Sequence, residues 1–360
     1  MKLSVRGAST LVLALAVSAA TSIAACADAE DEPFVPPQAD GGDAMAPDED
    51  ADAAAAPDGS VEAGTKLCSD HGFCRTDVPT GQTLTGVWGD GTGVVWAVTL
   101  EGNVLRWDGK AWKVHASGLG PLVSIWGSGP TDVWVGGDEG VLHGSGATSA
   151  SLTFAEVPLP GEPTRVASVW GIAAGDVWAA GTSDDPDTGM TIGRVLRMVG
   201  ATDAGPQWED VAIAPEMLSC SRVWGNAATG VWAACTRPLP ADPIFEEMVI
   251  LRRHGGDDFV EVPMPVDPDD DPLLSGPGVF HGAVAISASS MWIYGLTATT
   301  WPTVWHGTSA DNGQTFTFTQ TRYAKPEVEP LIMAVDGTAP NDVWAVGQYG
   351  QARHWNGTAW

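Results

Sequence analysis

One pattern of apolar and polar positions recurs through most of the chain. Short runs of Val, Ile, Ala and Trp alternate with turns made of Gly, Pro, Ser and Asp. A Trp followed eight residues later by a second Trp occurs at Trp88/Trp96, Trp126/Trp134, Trp170/Trp178 and Trp224/Trp232. Two further copies keep only the second Trp, at Trp292 and Trp344. The second Trp returns at intervals of 38, 44, 54, 60 and 52 residues, a period that suits four-stranded propeller blades. One copy runs Ser124-Ile125-Trp126-Gly127, turns through Ser128-Gly129-Pro130-Thr131, and resumes at Asp132-Val133-Trp134. That is a hairpin signal. A third strand, Val104–Trp107, is followed by Asp108-Gly109 before Ala111-Trp112 opens a fourth. The pattern predicts an all-β fold, a β-propeller of six four-stranded blades, with seven blades as the alternative.

Register follows from the turn. If Gly127 and Asp132 flank it, Trp126 lies across from Val133 and Trp134 across from Ile125, so the two indoles point to opposite faces. The same register sets Cys220 opposite Cys235, near bridging distance. Cys68 and Cys74, six residues apart and able to close a small loop, are the second expected pair. Fourth strands end in Phe154–Pro158 and Phe259–Pro263, and Phe73–Pro79 reads as another copy. This N-terminal strand is expected to complete the sixth blade and close the ring. Sixteen of the 17 Trp residues occupy recurring positions and are expected in the core; Trp301 stands outside the repeat.

The first 66 residues are of another kind. Lys2 and Arg6 precede a short apolar stretch, Leu11 to Ala20, too short to span a bilayer. Ile23-Ala24-Ala25-Cys26 then resembles the lipobox of bacterial lipoproteins. The resemblance implies a signal peptide over residues 1–25, lipidation of Cys26, and an exported protein anchored to the cell envelope, outer membrane or surface favoured. Residues 27–66 carry twelve carboxylates against Lys66 alone, with Phe34 the single aromatic. Such a segment cannot bury enough apolar surface to offset ordering entropy, so residues 26–66 are expected to be a disordered acidic tether and 67–360 the propeller. Most of the net charge of −28 lies outside the tether. Phosphate contacts need clustered Lys and Arg, so nucleic acid is excluded as a partner.

The unit seen in Asp342–Gly347 and Trp355–Trp360 resembles the Trp-rich repeats of secreted bacterial lipoproteins, a group with no established activity. Separately, Ser309-Ala310-Asp311-Asn312-Gly313-Gln314-Thr315-Phe316 resembles the Asp-box of sialidase-type and sortilin-type propellers. In that family Ser309, Asp311, Gly313 and Phe316 would form a folding turn, with no part in catalysis. Asp108–Trp112 and Asn356–Trp360 look like shortened versions. The Arg-Ile-Pro motif of sialidases is absent, as is the docking motif of quinone-dependent propellers. No nucleophile elbow, phosphate loop or His-rich metal motif occurs. His143, His281, His306 and His354 sit at or near strands and read as structural. No catalytic residue and no cofactor is assigned.

Binding is suggested by asymmetry. The connections between second and third strands are tight in repeats one, two and six but lengthen at Thr182–Gly193, Thr236–Glu247 and Leu296–Pro302. Long loops on a rigid ring are where function concentrates. Asp185 and Asp187, with Asp267, Asp269 and Asp271, could offer oxygen ligands to calcium; solvated loop charge is the competing reading. Trp301 is the candidate platform of a ligand face. The expectation is a non-catalytic, membrane-anchored binding module for a glycan or an envelope protein. A structural envelope scaffold and a glycan-active hydrolase or lyase are the alternatives.

Overall fold

The computed structural model describes residues 76–360, apart from 204, 215, 240–241, 257, 267–276, 298–301 and 323–330. Six antiparallel sheets follow one another along the chain, each a meander of sequential strands. They span Leu84–Ala116, Leu122–Val157, Arg165–Val211, Ser219–Glu261, Pro277–Arg322 and Ile332–Trp355. Together they make a six-bladed β-propeller. Five blades have four strands, and the sixth has three among the described residues. Phe73, Cys74 and Arg75 of the expected closing strand lie outside the described residues, as does Cys68; Thr76–Pro79 carry no strand pairing.

The observed register corrects the sequence expectation. Trp126 pairs directly with Trp134, and likewise Trp88 with Trp96, Trp170 with Trp178 and Trp224 with Trp232. Directly opposed residues share a face, so both indoles of a blade point the same way. In the second blade the cause is a bulge at Ser128: Gly129, and not Gly127, pairs with Asp132. A second bulge recurs in the first strand of every blade, at Thr85, Val123, Ala167, Ser221, His281 and Met333. In the fourth blade this bulge shifts the ladder back by one residue. Cys220 therefore does face Cys235, and the two form a disulfide.

Shared orientation explains how blades join. Trp88 of the first blade packs on Gly127 of the second, where a Cβ would lie 2.6 Å from the indole. Trp126 meets Gly171 in the same way. In the first five blades the second Trp is then covered by an aromatic from the next blade: Phe154 on Trp96, Trp208 on Trp134, Phe259 on Trp178, Phe316 and Phe318 on Trp232, and Trp355 and Trp360 on Trp292; Trp344 of the sixth is 38% exposed. Burial of such large apolar groups dominates the stability of the ring.

Opposite the second Trp, the third strand always carries Arg or His: Arg106, His143, Arg197, Arg252, His306 and His354 in turn. The imidazoles stack on their indoles, as at Trp134/His143 with centroids 4.1 Å apart and 15° between planes. The guanidiniums lie over them, as at Arg252/Trp232, 4.9 Å. Asp132 completes one such unit, accepting from Trp134 Nε1 at 3.0 Å and contacting His143 Nε2 at 2.7 Å. Asp176 accepts from both Trp178 Nε1 and Arg197 Nε. His143, His306 and His354 are thus packing elements.

Between the sixth and first blades this packing of one blade on the next is not formed among the described residues. Asp336 replaces the first Trp, and a Cβ on Gly89 would meet nothing within 4 Å. Leu84 and Val87 are 47% and 67% exposed, whereas their counterparts Leu122 and Ile125 are 1% and 9% exposed.

The segment Ser309–Phe316 forms a closed turn. Asp311 accepts the Thr315 N–H at 2.8 Å and the Thr315 hydroxyl at 2.6 Å, while Ser309 Oγ accepts the Gly313 N–H. Asn312 and Gly313 take positive φ, 58° and 85°. The turn is pinned by Arg252, which donates to the Gly313, Gln314 and Thr229 carbonyls. Hydrogen bonds from Thr315 hold the Asp311 carboxyl below its ordinary range. Asp108 and Asn356 close shorter turns by accepting the N–H groups of the two residues that follow at i+2 and i+3.

Candidate functional site: the central channel

The first strands of the six blades line the propeller axis, around a cavity of about 470 Å3. Their geometry is set by the bulge. Its extra residue turns the chain so that the next side chain borders the channel. In blade order the residues after the bulge are Gly86, Ser124, Ser168, Arg222, Gly282 and Ala334, all of which line the cavity except Gly282.

Two of these tie blades together. Ser124 Oγ accepts the Val169 N–H at 2.9 Å, and Ser168 Oγ accepts the Val223 N–H at 3.2 Å. Each donor is a backbone group of the following blade that the bulge geometry leaves for its neighbour. Thr85, itself a bulge residue, donates to the Leu122 carbonyl at 2.7 Å, and Asn226 Nδ2 to that of Ala285 at 3.1 Å.

Arg222 is the exception in its layer, the single long side chain among five small ones. Its guanidinium makes no hydrogen bond and no ion pair among the described residues. Burial pushes its guanidinium below the ordinary value, and the charge on Asp336 opposes that. Asp336 sits where four other blades place Trp88, Trp126, Trp170 and Trp224. One of its oxygens accepts the Gly337 N–H at 2.8 Å. Among the described residues Arg222 and Asp336 are the only ionisable groups in the lining, which is otherwise Trp, aliphatic, Gly and hydroxyl. The chemistry available there is recognition: a rigid wall, one guanidinium without a protein acceptor, and one carboxylate.

The sequence-predicted candidates lie elsewhere. The insertions of the third and fourth blades are extended hairpins and not loops, because strand pairing continues to Asp184/Thr191 and to Leu239/Asp242. In the first, Asp185 closes the hairpin tip, accepting the Asp187 N–H at 2.9 Å and the Thr188 hydroxyl at 2.8 Å. These bonds hold the Asp185 carboxyl below its ordinary range. Among the described residues no three His, Cys, Asp or Glu side chains gather as metal ligands. Asp267, Asp269, Asp271 and Trp301 lie outside the described residues. Part of the acidic charge in this sector is paired: Asp184 with Arg165 at 3.1 Å, and Glu247 with Arg237 at 2.6 Å. Cys26 also lies outside the described residues.

Sequence reasoning passed over Arg222 and Asp336. The signal was present: aligned on the first Trp, the repeats read Gly86-Val87-Trp88, Ser124-Ile125-Trp126, Ser168-Val169-Trp170 and Arg222-Val223-Trp224. A long cation in a column of small residues marks the outlier.

No family model matches the chain, and no curated protein matches it. Solved structures do. One described as YCF48 bound to D1 peptide aligns with a TM-score of 0.50 and 13% identity, covering 78% of this chain and 82% of that one. PorZ, described as an essential bacterial surface component of the type-IX secretion system of Porphyromonas gingivalis, aligns with a TM-score of 0.51 and 12% identity. The alignment covers 74% of this chain and 39% of that one. A Hadza microbial sialidase aligns with a TM-score of 0.44 and 13% identity, covering 73% of this chain and 62% of that one. At these identities the likeness establishes the β-propeller fold and nothing of activity.

Proposed function

We propose that this chain is a non-catalytic binding module, lipid-anchored to the cell envelope through Cys26, whose propeller engages a glycan or protein partner at its central channel. The observation that carries the reading is the Arg222 guanidinium in the channel wall, which has no hydrogen-bond acceptor among the described residues. A half-buried cation on the channel wall with no protein acceptor is suited to an arriving one. The neighbours lend support as propellers: YCF48 is described with a bound peptide and PorZ as a surface component.

The test is a thermal-shift screen of the full chain, in detergent, against cell-wall fragments, polysaccharides and envelope peptides. A ligand that binds the folded state alone raises its melting temperature by mass action. A saturable shift that disappears in an Ala334→Trp variant, which fills the channel, is the expected result. A saturable shift unaffected by that variant would move the site off the channel. Hydrolysis or elimination products from any glycan in the screen would overturn the non-catalytic reading.

A further inference from the structure

Resting on that reading of the channel, we infer that its ligand is a small molecule carrying a single carboxylate, held by Arg222, with a hydrogen-bond-donating end turned toward Asp336. Three features of the site select this chemistry.

The first is shape. Five of the six residues after the bulge are Gly, Ser or Ala. They leave the axis open at one level, and Arg222 alone reaches into that level from the fourth blade. A guanidinium presents a planar fork of donors that matches a carboxylate in a two-point contact, and binding replaces hydration with charge-assisted bonds.

The second is charge. Among the described residues the cavity lining carries one cation and one anion, which balance. A monocarboxylate leaves it with one net negative charge. A phosphate monoester would leave nearly two beside Asp336, inside a protein of net charge −28. Like charges in an enclosed site repel strongly, which disfavours the phosphate. The Asp336 carboxylate accepts hydrogen bonds and donates none, so the far end of the ligand must supply N–H or O–H.

The third is size and wall character. About 470 Å3 admits one sugar acid or one amino-acid derivative. Trp88, Trp126, Trp170 and Trp224 all border the cavity and make part of its wall apolar. Their positions are fixed by packing against the neighbouring blades, so the wall is pre-formed and loses little freedom on binding.

Two sources share this chemistry, a hexuronate and an N-acylated amino acid, and calorimetry of the full chain in detergent separates them. The probes are D-glucuronate with D-glucose as its uncharged counterpart, and N-acetyl-L-alanine with its amide. One acid is expected to bind while its uncharged counterpart binds at least tenfold more weakly. Arg222→Gln should weaken that acid at least tenfold and Arg222→Lys by less, while Asp336→Asn, which removes the charged acceptor of the donor end, should weaken the acid and its uncharged counterpart alike. Binding should also perturb Trp fluorescence, since four indoles border the site. An acid and its counterpart binding equally, or Arg222→Gln leaving affinity intact while fluorescence still responds, would overturn the carboxylate and keep the channel. Heat without any fluorescence change, insensitive to Arg222 and Asp336, would remove the channel itself as the site. No heat with all four probes would likewise overturn the inference.

Discussion

Replacing Gly127 with Ala tests whether indole-on-glycine packing holds adjacent blades together. The added Cβ would stand 2.6 Å from Cη2 and 2.9 Å from Cζ2 of Trp88, and 2.8 Å from the carbonyl oxygen of Asp132. Carbon atoms in contact normally stand about 3.5–4.0 Å apart, so roughly 1 Å must be found. The Asp132 carbonyl is held in the ladder, and the indole is wedged between two blades. Overpacking of this kind costs about 1–3 kcal/mol. It is offset by the reduced freedom of the unfolded chain, about 0.4–1 kcal/mol for Gly→Ala. A net loss near 1–2 kcal/mol is expected. For a domain of roughly 150–250 residues each kcal/mol moves Tm by about 2–4 °C, so the shift is measurable. Gly171→Ala should behave alike, with Trp126 Cη2 at 2.6 Å and the Asp176 carbonyl at 2.9 Å. Gly89→Ala is the internal control, because its Cβ enters open space. Thermal and urea unfolding of the three variants, followed by Trp fluorescence, makes the comparison. Equal stability of Gly127→Ala and Gly89→Ala would refute the packing argument.

Four further outcomes follow from the same geometry. Val94→Asp should stabilise by about 1 kcal/mol: Trp96 Nε1 and Arg106 Nε lack acceptors, while the third blade satisfies the equivalent atoms with Asp176; a lower urea midpoint would contradict this. Arg252→Met should cost about 2–3 kcal/mol, since the Thr229, Gly313 and Gln314 carbonyls lose a charged donor; an unchanged melting temperature would show the Ser309–Phe316 turn to be self-sufficient. Removing the bridge with Cys220→Ala and Cys235→Ala, 15 residues apart in sequence, should cost about 3 kcal/mol by the chain-entropy account; unfolding with and without reductant checks it. Burial lowers the pKa of His306 and of His281 below 6.5. The unfolded chain therefore binds protons first, and stability present above about pH 6.5 declines as pH falls toward the folded-state values; Gln at both positions should flatten that limb of a pH–stability profile.

Much of this fold was legible because its signal is periodic. The Trp spacing, the Gly-Pro-Ser turns and the Asx-type closures at Asp108, Asp311 and Asn356 each follow from local chemistry. The register at the hairpins did not follow, because a bulge inserts a residue without changing composition. The error at Trp126/Trp134 and the success at Cys220/Cys235 have one cause. The register near the turn runs one residue away from the expected one, and the bulge at Ser221 restores it before the cysteines are reached. The lengthened insertions looked like loops because polar residues such as Thr182, Ser183 and Asp184 carry no alternation, yet they are held by strand pairing. The channel was missed for a different reason. A cavity on the axis is built from one residue per blade, so its chemistry is spread over more than two hundred positions of sequence. It appears only when the repeats are superposed.

The bulge in each first strand separates two jobs that most β-sheets assign to the same residues. Residues further along the strand, such as Trp88 and Trp126, commit their side chains to the neighbouring blade. The one just after the bulge faces the axis. The ring thus carries six addresses, one per blade, and at two of them Ser124 and Ser168 also bond the backbone of the next blade. Five hold small residues in this chain and one holds Arg222. Exchanging Ala334, whose methyl bonds no backbone group of another blade, would rewrite one wall of the channel on an unaltered frame.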